Sequence, residues 1–583
     1  MRATNDQIAG LLYEISELLE LAGDNPFRAR AYRVAAATVQ NLPFELEEHV
    51  AAGRALTEIP GIGAGIEKKI RALMEEGSLE LIDTLKTVVP ESALELLRIR
   101  GLGPARVRYL HRTLGVSGID DLVPLLDSGR LSKAKGFGDK TAAALRRTLA
   151  EYLAHRGRRL RFHFQPAVDL VSRHLALCPR VLAASVAGSY RRGLETARGL
   201  TLVAATDDAD AVLDHLTRWE DLSRINERHP DRLLFNLGGD TPVTVHLCAP
   251  DRFGAVLHHR TGSAAHVAAL AAFARSSGLR LAEGGLYRSD NSLVPTPDEA
   301  ALFAALGLPA IPAELREDRG ELPAAAAGAL PRLLGTNDLY GDLHVHTTFT
   351  DGHHSVREMA LAGRACGYDY IAIADHSKNA VVANGLSESQ LPGYLDEIDA
   401  VNRADLGIRV LKALEVDVLR DGRLDMPDVL LERLGLVIAS IHGHFNLPEE
   451  EMTARVLRAI EHPLVRILAH PTTRLIGSRS PILFDLERVM RRAAELGVWL
   501  ELNANPERLD LDDRACRAAR DLGVGIALST DAHSIAALSN IEYGVIQARR
   551  GWLEPRDVVN ARAGEEFYKL LSAPPRPTPL LTI

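Results

Sequence analysis

Residues 341–352 read GDLHVHTTFTDG, and this stretch decides how the last third of the chain folds. The run DLHVHT reads as a strand, and residues two apart on a strand point to the same side, so His344 and His346 face one place. That spacing lets two imidazoles reach one ion. Asp351 follows on the adjoining loop. Six more strand-like runs come after it, alternating with helical ones: YIAIADH, VLKALEVDV, LVIASIHG, VRILAHP, VWLELNAN and GIALSTDAH. Seven strands with intervening helices predict a parallel sheet or, better, a β/α barrel, in which all strand C-termini converge on one face.

Every run except the sixth ends on a group able to bind a metal. The second ends on Asp375 and His376, the third on Glu415, the fourth on His442, the fifth on His470, and the seventh on Asp531 and His533. A single strand histidine is ordinarily a packing or surface residue. Six at successive strand ends, where hydrophobic strands have no packing reason to finish on imidazole or carboxylate, predict a metal cluster. Nitrogen and oxygen donors without thiolate suit manganese or zinc, and also iron, better than a magnesium-only site. Clustered divalent ions lower the pKa of water and neutralise phosphate oxygens, which is phosphoesterase chemistry. Arg474, just past His470, reads either as a substrate-phosphate contact or as a solvated surface arginine. His444 is an extra imidazole, read as a supporting or surface group.

Working outward, the 583-residue chain is too long for one core, and about 150 residues per domain implies three or four. The net charge of −9 means that any nucleic-acid affinity must come from local basic patches. Cys178, Cys248, Cys366 and Cys516 form no CxxC pair, which argues against a disulfide framework or a thiolate zinc site. No apolar run reaches the roughly 18 residues of a membrane span, and MRATNDQIAG lacks a signal-peptide pattern. A cytoplasmic protein with no membrane partner is expected.

Residues 1–155 read as short helices punctuated by three Gly-x-Gly turns: Gly61 and Gly63, Gly101 and Gly103 after Arg100, and Gly136 and Gly138. Glycines let a backbone approach a phosphate, and the N–H groups of the following helix face it. One such turn is weak evidence. Three, trailing Lys68 and Lys69, Arg106 and Arg108, then Lys140, Arg146 and Arg147, predict contacts to DNA phosphates. RGRRLR (156–161) reads as a further basic stripe or as a solvated helix face. Residues 156–315 mix strands and helices. The Pro/Ala-rich stretch at 308–331 reads as a linker that packs little, placed at 316–340 before a final domain at 341–583.

The final domain resembles the PHP family (polymerase and histidinol phosphatase) through GDLHVHTTFTDG, IADHS, LEVDV, SIHG, LAHP and STDAHS. The resemblance implies a distorted β/α barrel holding two or three divalent ions, with His344, His346, Asp351, His376, Glu415, His442, His470, Asp531 and His533 as ligands. In that arrangement Glu415 bridges one ion held by His344, His346 and Asp531 and another held by His442 and His470. Asp351, His376 and His533 hold the third. His344, His346, Glu415 and Asp531 are then the catalytic set. The three glycine turns look like helix-hairpin-helix elements.

The middle segment resembles the α+β nucleotidyltransferase core of family X DNA polymerases, and the whole chain resembles the bacterial form of that family fused to PHP. The match rests on AGSYRRGLET (187–196), CAPDRFGAVL, RTGSAAH and GGLYR (284–288). It implies that Gly188, Ser189 and Arg192 face a nucleotide triphosphate. The family's Gly-Asp-x-Asp is replaced by Arg198, Gly199, Leu200 and Thr201, and its third carboxylate by Thr244. His259-Arg260 stands for an aromatic pair and Val267 for an asparagine, while Asp207, Asp208 and Asp210 are out of register. Uncharged residues cannot replace anionic ligands of a hard cation, so polymerisation is expected to be lost. Lys69 falls where some members carry a lyase lysine, although a helix lysine is more often a phosphate contact. The expected function is a DNA-repair 3′-5′ exonuclease or 3′-end-processing enzyme on gapped, primer-template or 3′-damaged DNA. The alternatives are an active gap-filling polymerase with a proofreading nuclease, a DNA-binding scaffold and a small-molecule phosphatase.

Overall fold

A computed structural model describes residues 5–40, 42, 45–76, 79–99, 101–238 and 241–572. The chain forms two compact units, Met1–Arg156 and Gly157–Ile583. No helix among the described residues is long and apolar enough to cross a membrane.

The first unit is helical. Its opening helix, Asn5–Ala22, buries Ile8, Leu12, Ile15 and Leu19, a stripe at three- and four-residue steps. Ala29, Tyr32, Ala35, Ala36 and Val39 form the buried stripe of the next helix, Pro26–Gln40. Each predicted glycine turn leads into a helix: α1 (Ala64–Glu76), α2 (Pro104–Leu114) and α3 (Asp139–His155).

The second unit begins with a five-stranded sheet: β1 (Ala183–Val186), β2 (Leu200–Ala205), β3 (Leu222–His229), β4 (Arg232–Leu237) and β5 (Thr241–Cys248). The order is β1-β2-β5-β4-β3, with β2 and β5 parallel and the other pairs antiparallel. A seven-stranded parallel barrel follows, in sequential order: β6 (Gly341–Val345), β7 (Tyr370–Ile373), β8 (Arg409–Asp417), β9 (Leu436–Ser440), β10 (Val465–Leu468), β11 (Trp499–Asn503) and β12 (Ile526–Ser529). A parallel bridge from Val345 to Ala532 nearly closes it. Asp342 ties the same seam by accepting from the Thr530 amide (3.1 Å) and from its hydroxyl.

Strand alternation divides the barrel's apolar residues. Ile371, Ile373, Leu414 and Val416 pack outward with helix residues such as Met359 and Leu395. Tyr370, Ala372, Ala413, Ile438 and Ala527 cluster with Phe567 of the helix Gly564–Ser572. Phe567 stacks on Tyr370 at 4.3 Å and lies 6.0 Å from Trp499, so this helix packs on the residues that begin β7 and β11. Glu415, two residues past Ala413, continues the inward side at the opposite strand ends.

The Pro/Ala-rich stretch is not a loose linker. Leu308, Ile311, Leu315 and Ala325 are buried with Phe303 and with Trp552 from the barrel side. Composition concealed the spacing of Leu308, Ile311 and Leu315, which presents one apolar side. Within the same region buried His266 meets Glu321 at 2.6 Å, and Glu321 also accepts from the amides of Asp318 (2.8 Å) and Arg319 (2.7 Å). Glu321→Ala would strand those donors. It should therefore destabilise the second unit by about 1–3 kcal/mol per unmet group, read as a lowered Tm with metal content retained.

Candidate metal centre

The strand ends open into a cavity of about 530 Å³ lined by Asp351, His376, Glu415, His442, His470, Asp531 and His533. His344 and His346 are fully buried at the end of β6. Glu415 stands in the middle. Its Oε2 lies 3.5 Å from His344 Nε2, 3.7 Å from His346 Nε2 and 2.8 Å from His376 Nδ1. Its Oε1 faces His442 at 3.3 Å and His470 at 3.0 Å. Asp531 Oδ1 is 3.1 Å from His346 Nε2 and 3.8 Å from His344 Nε2. Asp351 reaches His533 at 3.4 Å and His376 at 3.6 Å.

Separations of 3–4 Å are those of donors sharing an ion about 2.0–2.2 Å from each. Among the described residues, three sets have their donor atoms mutually within 4.8 Å: His344, His346 and Asp531; His346, Asp351, His376 and His533; and His376, Glu415 and His442. All nine expected residues thus meet in one place, although the grouping differs from the expected one. His346 and His376 each belong to two sets, and His470 touches Glu415 without joining any. Two ligand-type atoms, His344 Nε2 and His346 Nδ1, are buried with no hydrogen-bond partner. Unpartnered polar atoms in a sealed core are costly unless something satisfies them, and the clusters fit divalent metal ions.

Against their burial, the surrounding carboxylates hold His344, His376, His442 and His533 above the usual imidazole range. Burial alone would raise the Glu415 carboxyl, but the imidazoles of His442, His376 and His344 hold it well below the usual carboxylate range. Asp531 is likewise held low against its burial, chiefly by His344. Burial, with His533 and His376 beside it, pushes His346 down to about 3, which keeps that imidazole neutral and able to donate its lone pair. His470 and Asp531 both adopt left-handed backbone angles, φ 24° and 56°. Such strain costs about 1–3 kcal/mol per residue and persists only where the surroundings enforce it.

Behind the ligands lies a layer that sequence reading missed. Glu501, fully buried on β11, accepts from His344 Nδ1 (2.8 Å) and from the His470 amide (2.6 Å). Asn503 Nδ2 donates to Asp531 Oδ2 at 3.1 Å. Asp417 lies 3.2 Å from His442 Nδ1. Asp375 is not among the clustered donors; it accepts from the Thr347 amide (2.9 Å) and from the hydroxyls of Thr347 and Thr350 (2.5 Å each), fixing the loop that carries Asp351. A carboxylate inside the apolar run VWLELNAN was the signal, since buried strands rarely carry one without a partner. Glu501→Gln should weaken metal affinity about 10–100-fold, measured by titrating metal into chelator-stripped protein.

Arg474 does not line the cavity. Its Nη2 donates to Glu195 and to the Leu509 carbonyl. Three arginines do line it: Arg508, with Nε 3.6 Å from Asp531 Oδ2, exposed Arg420, and Arg455, whose guanidinium donates to the Leu419, Gly443 and Val418 carbonyls. His444 is exposed at the rim.

The nucleotidyltransferase-like centre is assembled but carries no carboxylate at Gly199, Thr201 or Thr244. Thr201 on β2 and Thr244 on β5 are direct register partners, so the three positions expected to carry carboxylates do come together. At Gly199 a Cβ would lie 2.7 Å from the Pro242 carbonyl oxygen. Gly188 takes φ 66° above Thr201. Arg192 is not open to a phosphate: it pairs with Glu317 at 2.9 Å and donates to the Thr261 carbonyl at 2.6 Å.

In the first unit the glycine turns share one geometry. Gly61, Gly101 and Gly136 have φ 93°, 95° and 83°. The next residue, Ile62, Leu102 or Phe137, is buried and donates its amide back to Ile59, Ile99 or Ala134. Gly103 and Gly138 are the N-caps of α2 and α3, and Gly63 immediately precedes α1. Lys68 and Lys140 are exposed and Lys69 is half-buried. Arg106 instead donates to the Gly101 carbonyl at 2.7 Å, bracing its own turn. Arg100 lies outside the described residues. The arginines of the expected basic stripe have partners within the chain, Arg156 in Glu95, Arg158 in Thr196, Arg159 in Thr241 and Arg161 in the Tyr190 carbonyl, while Arg156 and Arg159 stay exposed.

A parallel barrel with a histidine–carboxylate pocket at its strand ends, packed with a nucleotidyltransferase-like sheet, defines a phosphoesterase coupled to a polymerase-type core. Residues 3–79 match the helix-hairpin-helix domain, 93–151 the SAM-like helix-hairpin-helix tandem and 256–317 the DNA polymerase beta thumb. The chain is 35% identical over 571 residues, covering 97% of itself and 98% of the relative, to the DNA polymerase/3'-5' exonuclease PolX of Bacillus subtilis. Its C-terminal part is 28% identical over 231 residues to a probable phosphatase of Syntrophotalea carbinolica, 38% of this chain and 90% of that one. A probable phosphatase of Thermoanaerobacter pseudethanolicus is 27% identical over 242 residues, 39% and 94% of the two chains. The chain belongs to the bacterial family X DNA polymerases that carry a PHP domain.

Proposed function

We propose that this protein is a metal-dependent 3′-5′ exonuclease or 3′-end-processing enzyme of DNA repair whose polymerase activity has been lost. The observation that carries this reading is the contrast between two centres in one unit. Nine side chains of metal-ligating type gather at one barrel pocket, whereas the polymerase-type centre has Gly199, Thr201 and Thr244 where its carboxylates would stand.

In this reading His344, His346, Asp351, His376, Glu415, His442, His470, Asp531 and His533 hold two or three divalent ions, manganese or zinc foremost. Bound there, such ions supply Lewis acidity to a phosphodiester and lower the pKa of water. Arg508 and Arg420 give the pocket positive charge for phosphate oxygens. Val381 and Val382, exposed at its mouth, offer an apolar surface to a sugar and base. Gly61, Gly63, Lys68, Lys69, Gly101, Gly103, Gly136, Gly138 and Lys140 contact DNA phosphates, with Arg106 shaping its turn.

The test is a gapped duplex with a labelled 3′ end, incubated with manganese and deoxynucleotides. The wild type should release 3′ nucleotides without extending the strand, and His344→Ala should abolish release. Templated extension surviving His344→Ala would establish the gap-filling polymerase instead. Binding without release would favour a scaffold. Because the barrel also resembles phosphatases, sugar-phosphate hydrolysis unaffected by competing DNA would favour a small-molecule phosphatase.

A further inference from the structure

Glu195 ends the AGSYRRGLE turn of the nucleotidyltransferase-like core, yet its carboxylate is engaged by the barrel. Oε1 accepts from Gln547 Nε2 at 2.8 Å and from Arg474 Nη2. Gly193 makes this approach feasible: a Cβ there would lie 2.2 Å from Ile546 Cγ2, so the turn rests directly on α4 (Ile541–Arg550), which carries Gln547. A second ionic cluster holds the same contact, with Arg550 donating to the Arg192 carbonyl (2.8 Å) and pairing with Glu317 (3.0 Å) and Asp513 (2.7 Å).

Arg474 in turn spans two loops of the metal pocket. It lies four residues past His470, and the nitrogen that meets Glu195 also donates to the Leu509 carbonyl. Leu509 follows Arg508, the guanidinium beside Asp531. The residues around Arg474 are held in uncommon conformations: Thr473 has φ 54° and Leu509 φ 43°. Two further bonds join the loops, Thr472 amide to Asp510 Oδ2 (3.0 Å) and Ile476 amide to the Glu507 carbonyl (2.7 Å). A strained loop keeps its shape only while its restraints hold. Arg474 is a restraint common to both loops, and Glu195 is its carboxylate partner.

We propose that Glu195 is a positioning residue for the barrel's phosphoesterase reaction. It fixes Arg474, which fixes Leu509 and so aims Arg508 into the pocket beside Asp531. The core that lost its own metal carboxylates thereby keeps a duty in the neighbouring reaction. The proposal rests on the phosphoesterase reading of the pocket, not on DNA being its substrate.

The experiment compares full-length, manganese-loaded wild type, Glu195→Gln, Arg508→Gln and the double variant. Substrates are a 3′-labelled DNA strand and bis(p-nitrophenyl) phosphate. Glu195→Gln should lower kcat about tenfold, as for groups that orient active-site residues, on whichever substrate is turned over, with KM and bound metal unchanged. In the Arg508→Gln background the same change should have little further effect, since both act through one guanidinium. Glu195→Asp should recover part of the rate. An unchanged kcat, or an undiminished penalty in the Arg508→Gln background, would overturn the proposal. Should Glu195→Gln misfold, Arg474→Lys serves: lysine keeps the charge but not the planar fork, and the same fall in kcat is expected, an unchanged kcat again being the refutation. Turnover of the small diester alone would remove the exonuclease reading while still deciding the role of Glu195.

Discussion

Replacing Glu415 with glutamine is expected to strip the barrel of metal and to slow phosphodiester hydrolysis by more than about 100-fold, beyond the range typical of groups behind the ligands. The two side chains have nearly the same shape, so the loss would be chemical. Both carboxylate oxygens are in use: one faces His442 and His470, the other His344, His346 and His376. An amide presents one acceptor and one donor and carries no charge, so it serves one side of the cluster and repels a cation on the other. Metal analysis beside circular dichroism is the measurement. A folded, metal-depleted variant is the expected result, and a metal-replete, active one would refute the assignment of Glu415 as the bridge.

Templated extension is expected to be absent on gapped DNA in magnesium or manganese, at least about a thousandfold below nucleotide release. Phosphoryl transfer of this type depends on ions held by carboxylates to neutralise the triphosphate, and Gly199, Thr201 and Thr244 supply none. Packing as well as composition opposes a carboxylate at Gly199. Thr201→Asp with Thr244→Asp would restore two carboxylates on partnered strands, but Gly199→Asp must push against the Pro242 carbonyl, 2.7 Å from its Cβ. The triple variant should lose thermal stability without gaining extension. Extension by the wild type, measured in a His344→Ala background to suppress degradation, would refute this expectation.

The convergence of the nine His, Asp and Glu side chains was legible because strand geometry is periodic: a residue at each strand end is also a residue at one barrel face. Arg474 was misread because sequence distance from His470 says nothing about loop direction, and the left-handed Thr473 immediately precedes it. Glu501 and Arg508 went unnoticed for a related reason. The sixth strand has no ligand at its tip, and its contribution comes from mid-strand and from the loop beyond. The arginines of RGRRLR show the limit of reading charge from sequence, since partners such as Thr196, Thr241 and Tyr190 lie tens of residues away. The segment at 308–331 failed through composition: prolines and alanines hid the spacing of its three large apolar residues.

The seam between Asp342 and Thr530 sets a timetable for biosynthesis. These residues are 188 positions apart, and Phe567, which packs at the far end of the strands, is made later still. During synthesis His344 and His346 emerge long before Asp531 and His533, so the pocket cannot be completed until the seventh strand has been made. Contacts this distant in sequence form slowly. A nascent chain cannot assemble the pocket before β12 has emerged, and a break in translation before the seventh strand leaves Asp531 and His533 unmade.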